Sequence, residues 1–156
     1  MTHPFFMPIN TNKGFKMSYF KKLISESARE NQELILDFVV FSLNTVSQFH
    51  IFHLLTTDAQ QHDALGAFYD GLNDSIDGFA EYFLGENTIS GSIPTTPYAF
   101  DTNVSLVTIL QKLDEYDNFM IRVRDVIDEK NEGSLIDSIN DIKELISKLK
   151  YKLKMN

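Results

Sequence analysis

The chain has 156 residues and a mass of 17.9 kDa, the size of one compact domain. Its 43% hydrophobic content excludes global disorder, and the absence of Cys excludes disulfides, thiolate zinc sites, iron–sulfur clusters and a Cys nucleophile. A formal charge of −8 excludes binding of nucleic acid over the whole surface, and no unbroken apolar run reaches the roughly 18 residues of a membrane span, so a reducing, cytoplasmic setting is expected.

Residues 1–16 read as a flexible tail, because Pro4 and Pro8 discourage helix and Asn10, Asn12 and Gly14 break any period. Helical periodicity starts near Met17, with Tyr19 to Asn31 readable as a separate short piece. Ile35, Phe38, Val39, Ser42, Val46, Phe49 and His53 then recur at three- and four-residue steps, one apolar stripe of a helix ending near Leu55. Thr56-Thr57-Asp58 breaks the pattern, and Thr57 or Asp58 can cap the next helix. That second helix is expected from Ala59 to Leu84, with Leu65, Phe68, Tyr69, Leu72, Ile76, Phe79, Ala80 and Phe83 as its stripe and Gly85 as its stop.

Residues 85–101 form a long connection containing Gly91, Pro94 and Pro97. At about 3.3 Å per residue it can reach ~56 Å, whereas the helix before it is ~39 Å long. It can therefore return along the whole bundle and start a helix parallel to the second. The third helix is expected from Asn103 to Glu129, with Leu106, Leu110, Leu113, Met120 and Ile127 on one side. Ser134 and Asp137 resemble a capping box for the fourth, whose stripe is Leu135, Ile139, Ile142, Ile146, Leu149 and Leu153. The expected fold is all-α: a ferritin-like four-helix bundle over residues 17–150, with a long crossover between the second and third helices and a basic C-terminal tail at 151–156.

Charge is unevenly spread. From Glu30 to Gln111 there is no Lys or Arg, while acidic residues recur from Glu33 to Asp101. Such a middle attracts cations and repels polyphosphates. Lys148, Lys150, Lys152 and Lys154 give the C-terminal end the opposite character. They are candidates for contact with DNA, although lysines near a helix C-terminus also complement its dipole.

The chemistry-bearing cluster is His50, His53, His62, Asp63, Asp77 and Glu81. Asp77 and Glu81 are four apart and share a helix face. Imidazole and carboxylate from facing helices are what a bundle uses to hold divalent iron, manganese or zinc. The same spacing also fits a plainer picture. Asp63, Asp70, Asp74, Asp77 and Glu81 repeat as a solvated face does, and a His on an apolar face is commonly a hydrogen-bonded core residue. No phosphate-binding glycine loop and no Ser nucleophile elbow is present.

At these residues the chain resembles the Dps-type miniferritins. Phe49-His50-Ile51-Phe52-His53, His62-Asp63-Ala64-Leu65, Phe68-Tyr69-Asp70-Gly71-Leu72 and Asp77-Gly78-Phe79-Ala80-Glu81 look like that family's core, over roughly residues 35–85. His53 matches the first His ligand, His62 the second, Asp77 and Glu81 the acidic pair. Three positions depart. Gly66 stands where the family has an Asp, Leu54 where it has Trp, and the interval from His53 to His62 is about three residues short. His50 keeps the interval of twelve and is an alternative first ligand; Asp63 is an alternative carboxylate. The chain also resembles miniferritin-like proteins encoded by tailed bacteriophages.

The resemblance implies a metal site between two subunits, with His53 and His62 of one facing Asp77 and Glu81 of the other. It implies a homo-oligomer, a dimer or a dodecameric shell, that takes up and oxidises ferrous iron. Gly66 in place of a carboxylate favours weak ferroxidase activity, with iron, zinc or manganese as the bound ion. The rival expectation is a metal-free helical bundle for assembly or protein interaction.

Overall fold

A computed structural model describes residues 12–89, 93 and 97–155 of the chain. It holds four α-helices and, among the described residues, no strand: α1 (Asn12–Leu55), α2 (Ala59–Glu86), α3 (Leu106–Arg124) and α4 (Gly133–Leu153). The chain divides into two compact units, residues 1–33 and 34–156. In the first, α1 takes in residues 12–16, which the sequence assigned to the tail; residues 1–11 lie outside the described residues. Tyr19 to Asn31 is not a separate piece but part of this helix. An exposed Arg29–Glu33 pair, 3.6 Å apart at i, i+4, lies on its surface.

The second unit is the bundle. Its α1 segment buries Ile35, Leu36, Phe38, Ser42, Thr45, Gln48, Phe49 and Phe52. Within residues 21–55 of α1, an 18-residue stretch reaches a mean hydropathy of 1.4, long and apolar enough to cross a bilayer, although no unbroken apolar run exists. The buried phenylalanines give α1 the character of a core helix. Its polar buried groups are all paired: Ser42 Oγ donates to Phe38 O at 2.7 Å and Thr45 Oγ1 to Phe41 O at 2.8 Å.

The break after α1 is three residues long, and Asp58 is the cap that starts α2, accepting from Gln61 N at 2.6 Å. The buried face of α2 is the expected one, with Ala64 added and Tyr69 and Ala80 at its half-buried edges. α2 passes through Gly85 and ends at Glu86, because Asn87 closes it with both its backbone N–H and its Nδ2 on Phe83 O.

α3 is shorter than expected at both ends, and its buried face is turned. Ile109, Leu113, Tyr116, Met120 and Val123 are buried, whereas Leu106 and Val107 are exposed. Tyr116 belongs to the core because its hydroxyl has a partner there. Ser42 uses its own proton on Phe38 O, so Tyr116 O–H donates to Ser42 Oγ at 2.9 Å. Phe38 touches Phe79 edge-on and stacks on Tyr116, joining α1, α2 and α3.

α4 carries the expected stripe with Ile136 added. The expected capping box is not formed. The cap is Glu132, whose side chain turns back to accept from Asp128 N at 3.0 Å. α4 also runs through residues 151–153, so Leu153 is core rather than tail. It packs on α2 where Leu145 lies over Gly71; a Cβ there would come within 2.8 Å of Leu145 Cδ2. Ahead of α3, Gln48 on α1 holds Asp101 by both backbone groups at 2.7 Å, and Gln61 on α2 donates to Val104 O at 3.2 Å.

Burial pushes the Tyr116 phenol far above its ordinary value near 10. The folded chain keeps this proton at alkaline pH where the unfolded chain releases it, so stability holds below about pH 10 and falls as pH rises above it. Tyr116→Phe is expected to cost about 1 kcal/mol at neutral pH, through the lost hydrogen bond, and to flatten the alkaline decline. Urea unfolding at pH 7 and at several alkaline values measures both; parallel curves for the two proteins would contradict the assignment.

Candidate functional site

The last turn of a helix leaves carbonyls without intrahelical partners. In α1 one of these is His53 O, and His62 from the first turns of α2 reaches it, with its Nδ1 at 2.9 Å. The reverse bond is also made: His53 Nδ1 lies 2.9 Å from His62 O. A carbonyl oxygen only accepts, so both rings carry their proton on Nδ1. The two imidazoles stack with centroids 3.7 Å apart. The tautomer leaves Nε2 of each ring as its second nitrogen, the form in which a metal-binding His is usually held by its surroundings.

Gly66 has a physical reason to be glycine. A Cβ at position 66 would lie 3.1 Å from His53 Cε1 and 3.2 Å from its Nδ1. The place where the resemblance expects a carboxylate is therefore filled by the His53 ring. Tyr69, one turn on, completes the cluster. Its ring stacks on exposed His50 at 4.4 Å and meets His53 edge-on at 5.3 Å. The sequence placed Tyr69 in the helix stripe and gave it no part in the His cluster. Its spacing of seven from His62 was the available signal.

The remaining predicted residues lie elsewhere. Asp63 faces α4, lining a cavity of about 600 Å³ with Lys148 and Lys152, on the other side from the His53 ring over Gly66. Asp77 and Glu81 are exposed on α2. Fifteen residues separate Asp77 from His62, ~22 Å of helix at 1.5 Å per residue. Among the described residues no three His or carboxylate side chains of one chain converge to hold an ion.

The four lysines proposed for DNA do not form one stripe. Steps of two on a helix alternate between opposite sides. Lys148 pairs with Glu144, and Lys150 with Asp114 at 2.7 Å and Asp117 at 3.8 Å. Lys148 holds the Glu144 carboxyl below its ordinary range by hydrogen bond and charge. Lys154 lies past the end of α4 as its C-cap.

Residues 53–153 match DUF5856, described as a family of unknown function. The chain belongs to that family. The matched span begins at His53 and takes in His62, Gly66, Asp77 and Glu81, but not His50. No curated protein and no solved structure matches the chain.

Replacing Gly66 tests the packing of the pair. Gly66→Ala is expected to shift the His53 ring by a few tenths of an ångström against His62 O, while the helix itself gains up to about 1 kcal/mol of propensity. The downfield Nδ1–H proton signals in NMR report this directly. Loss or shift of the His53 signal in a folded variant is the expected outcome; unchanged signals for both rings would show that the ring does not lie over position 66.

Proposed function

We propose that the protein is a divergent, Dps-like miniferritin of the cytoplasm that binds iron or another divalent ion between two copies of the chain. The observation that carries this reading is the state of the imidazoles. His53 and His62 each spend Nδ1–H on a carbonyl, which leaves Nε2 as the nitrogen for an ion. Asp77 and Glu81, exposed farther along α2, supply carboxylate oxygens. Nitrogen and oxygen donors together suit Fe²⁺, Mn²⁺ or Zn²⁺.

The ~22 Å between these donor sets along α2 calls for a second copy. Two α2 helices running antiparallel about a two-fold axis near Tyr69 bring His62 of each to Asp77 and Glu81 of the other, and the symmetry then makes two equal sites. Apolar side chains on the same two helices support self-association: Leu43, Leu54 and Leu84 are exposed, and Leu43, His50 and Leu54 fall on one face of α1. The ferritin-like topology is supported by the bonds ahead of α3. Val104, at its start, is held by Gln61 near the start of α2, as a long crossover and parallel α2 and α3 require.

In this reading the chain's own residues bind and orient. His53 and His62 are aimed by each other's backbone, and Asp77 and Glu81 bring charge that offsets the cation's. The ion is cargo, and with Gly66 under the His53 ring only the acidic pair supplies carboxylate, which favours holding the ion over rapid oxidation.

A second reading, a metal-free interaction bundle, is favoured by one observation: the His53–His62 pair is already complete as a clasp between α1 and α2. Metal analysis of untagged protein, together with its mass by light scattering, separates the two. The metal reading expects stoichiometric ion in an assembly of at least two chains, and His62→Ala and Glu81→Ala each weakening uptake about tenfold or more. Metal content unchanged in both variants would sink the site; a metal-free monomer would leave the interaction bundle.

A further inference from the structure

A second cavity, of about 330 Å³, lies away from the His cluster between α1, α3 and the segment that precedes α3. Its walls are aromatic. Phe41 meets Tyr98 edge-on at 6.3 Å and Phe119 at 5.3 Å, and all three rings line the space. Asp37, one turn before Phe41 on α1, brings a carboxylate to the same cavity, which Asn44 also lines. Pockets of roughly 300–1,000 Å³ hold small ligands, so this one suits a small ligand or the end of a side chain.

The field around it is negative. The Tyr98 hydroxyl is raised above its ordinary value first by burial and then by the Glu115 and Asp101 carboxylates. Asp37 adds a third acidic group. Lys112 is engaged with Glu115 at 3.3 Å. A ring of the wall already accepts a cation on one face: the Arg122 guanidinium lies 4.6 Å from the Phe119 centroid. Aromatic faces carry negative charge density, and several of them around one carboxylate are a setting for an organic cation. A simple metal ion has no comparable claim, since apolar rings cannot replace its water.

We propose that the cavity binds an organic ammonium group, supplied by a small molecule or by a lysine side chain, seated on Phe41, Tyr98 and Phe119 and paired with Asp37. This is independent of the metal reading, because no residue is shared.

The test uses the full chain and two probes, choline and Nα-acetyl-lysine amide, with 3,3-dimethylbutanol as the uncharged isostere of choline. Ring signals of Tyr98 in NMR titrations read occupancy. The expected result is saturable binding of at least one ammonium probe, about tenfold tighter than the isostere. The tighter probe identifies the source of the ammonium. Asp37→Asn, at an exposed position, is expected to weaken the preferred probe several-fold with an unchanged circular dichroism spectrum, and Tyr98→Leu to weaken it further. If Tyr98→Leu disturbs the fold, Asp37→Asn decides alone. No saturable shift with either cation, equal binding of the uncharged isostere, or undiminished binding in Asp37→Asn would overturn the proposal.

Discussion

The turn between α1 and α2 is only three residues long, and the exchange of hydrogen bonds between His53 and His62 is what holds it shut. Each imidazole satisfies a carbonyl on the other helix, and the stacked rings fill the space between them. The cost of burying polar backbone at a helix end is thereby met by side chains rather than by water. Once α1 and α2 are fixed antiparallel, Phe49, Phe52 and Phe68 come together below the clasp, and Phe38 meets Phe79 at the far end. The faces that remain outside are then determined too, including the one that carries His50, Leu43 and Leu54. Gly66 belongs to the same constraint, since a Cβ there would crowd the His53 ring at 3.1 Å.

Legibility in the sequence followed how much each element depends on its own pattern. α4 was readable almost residue by residue because its apolar positions recur without a polar intruder. α3 was not, because its core includes a tyrosine. Nothing local reveals that Tyr116 will find Ser42, seventy-four residues away, and a stripe drawn through aliphatic residues alone turns the helix by part of a step. The start of α4 failed for a related reason. Ser134 and Asp137 have the right spacing, but Glu132 and Asp128 tie the preceding turn first and move the cap two residues upstream.

For the candidate site, residue types and spacing picked out the His cluster, but not its geometry. The short interval from His53 to His62 looked like a defect against the miniferritin pattern. In the structure it is the interval that lets two rings exchange carbonyls across a three-residue turn. Likewise Gly66 read as a missing ligand and is a position cleared for a neighbouring ring. Asp63 read as a replacement and faces α4. Side-chain direction around a helix decides each of these, and it depends on which faces the tertiary packing has already used.

The distribution of basic residues bears on both proposed cation sites. With none between Glu30 and Gln111, all of α2 and the bundle portion of α1 carry acidic residues without a local counterion. Of the bases of α4, Lys143 and Lys150 are drawn to Asp117 and Asp114 on α3, whereas Lys148 and Lys152 line a cavity with Asp63 of α2. In the two proposals the kind of cation is set by what stands beside the carboxylate. In the metal reading, His62 of one copy joins Asp77 and Glu81 of the other, a nitrogen and oxygen donor set for hard or borderline metal ions. On α1, Asp37 shares a cavity wall with three aromatic rings, which suits a cation that gives up its water readily. Charge alone would not distinguish the two; the neighbouring side chains do.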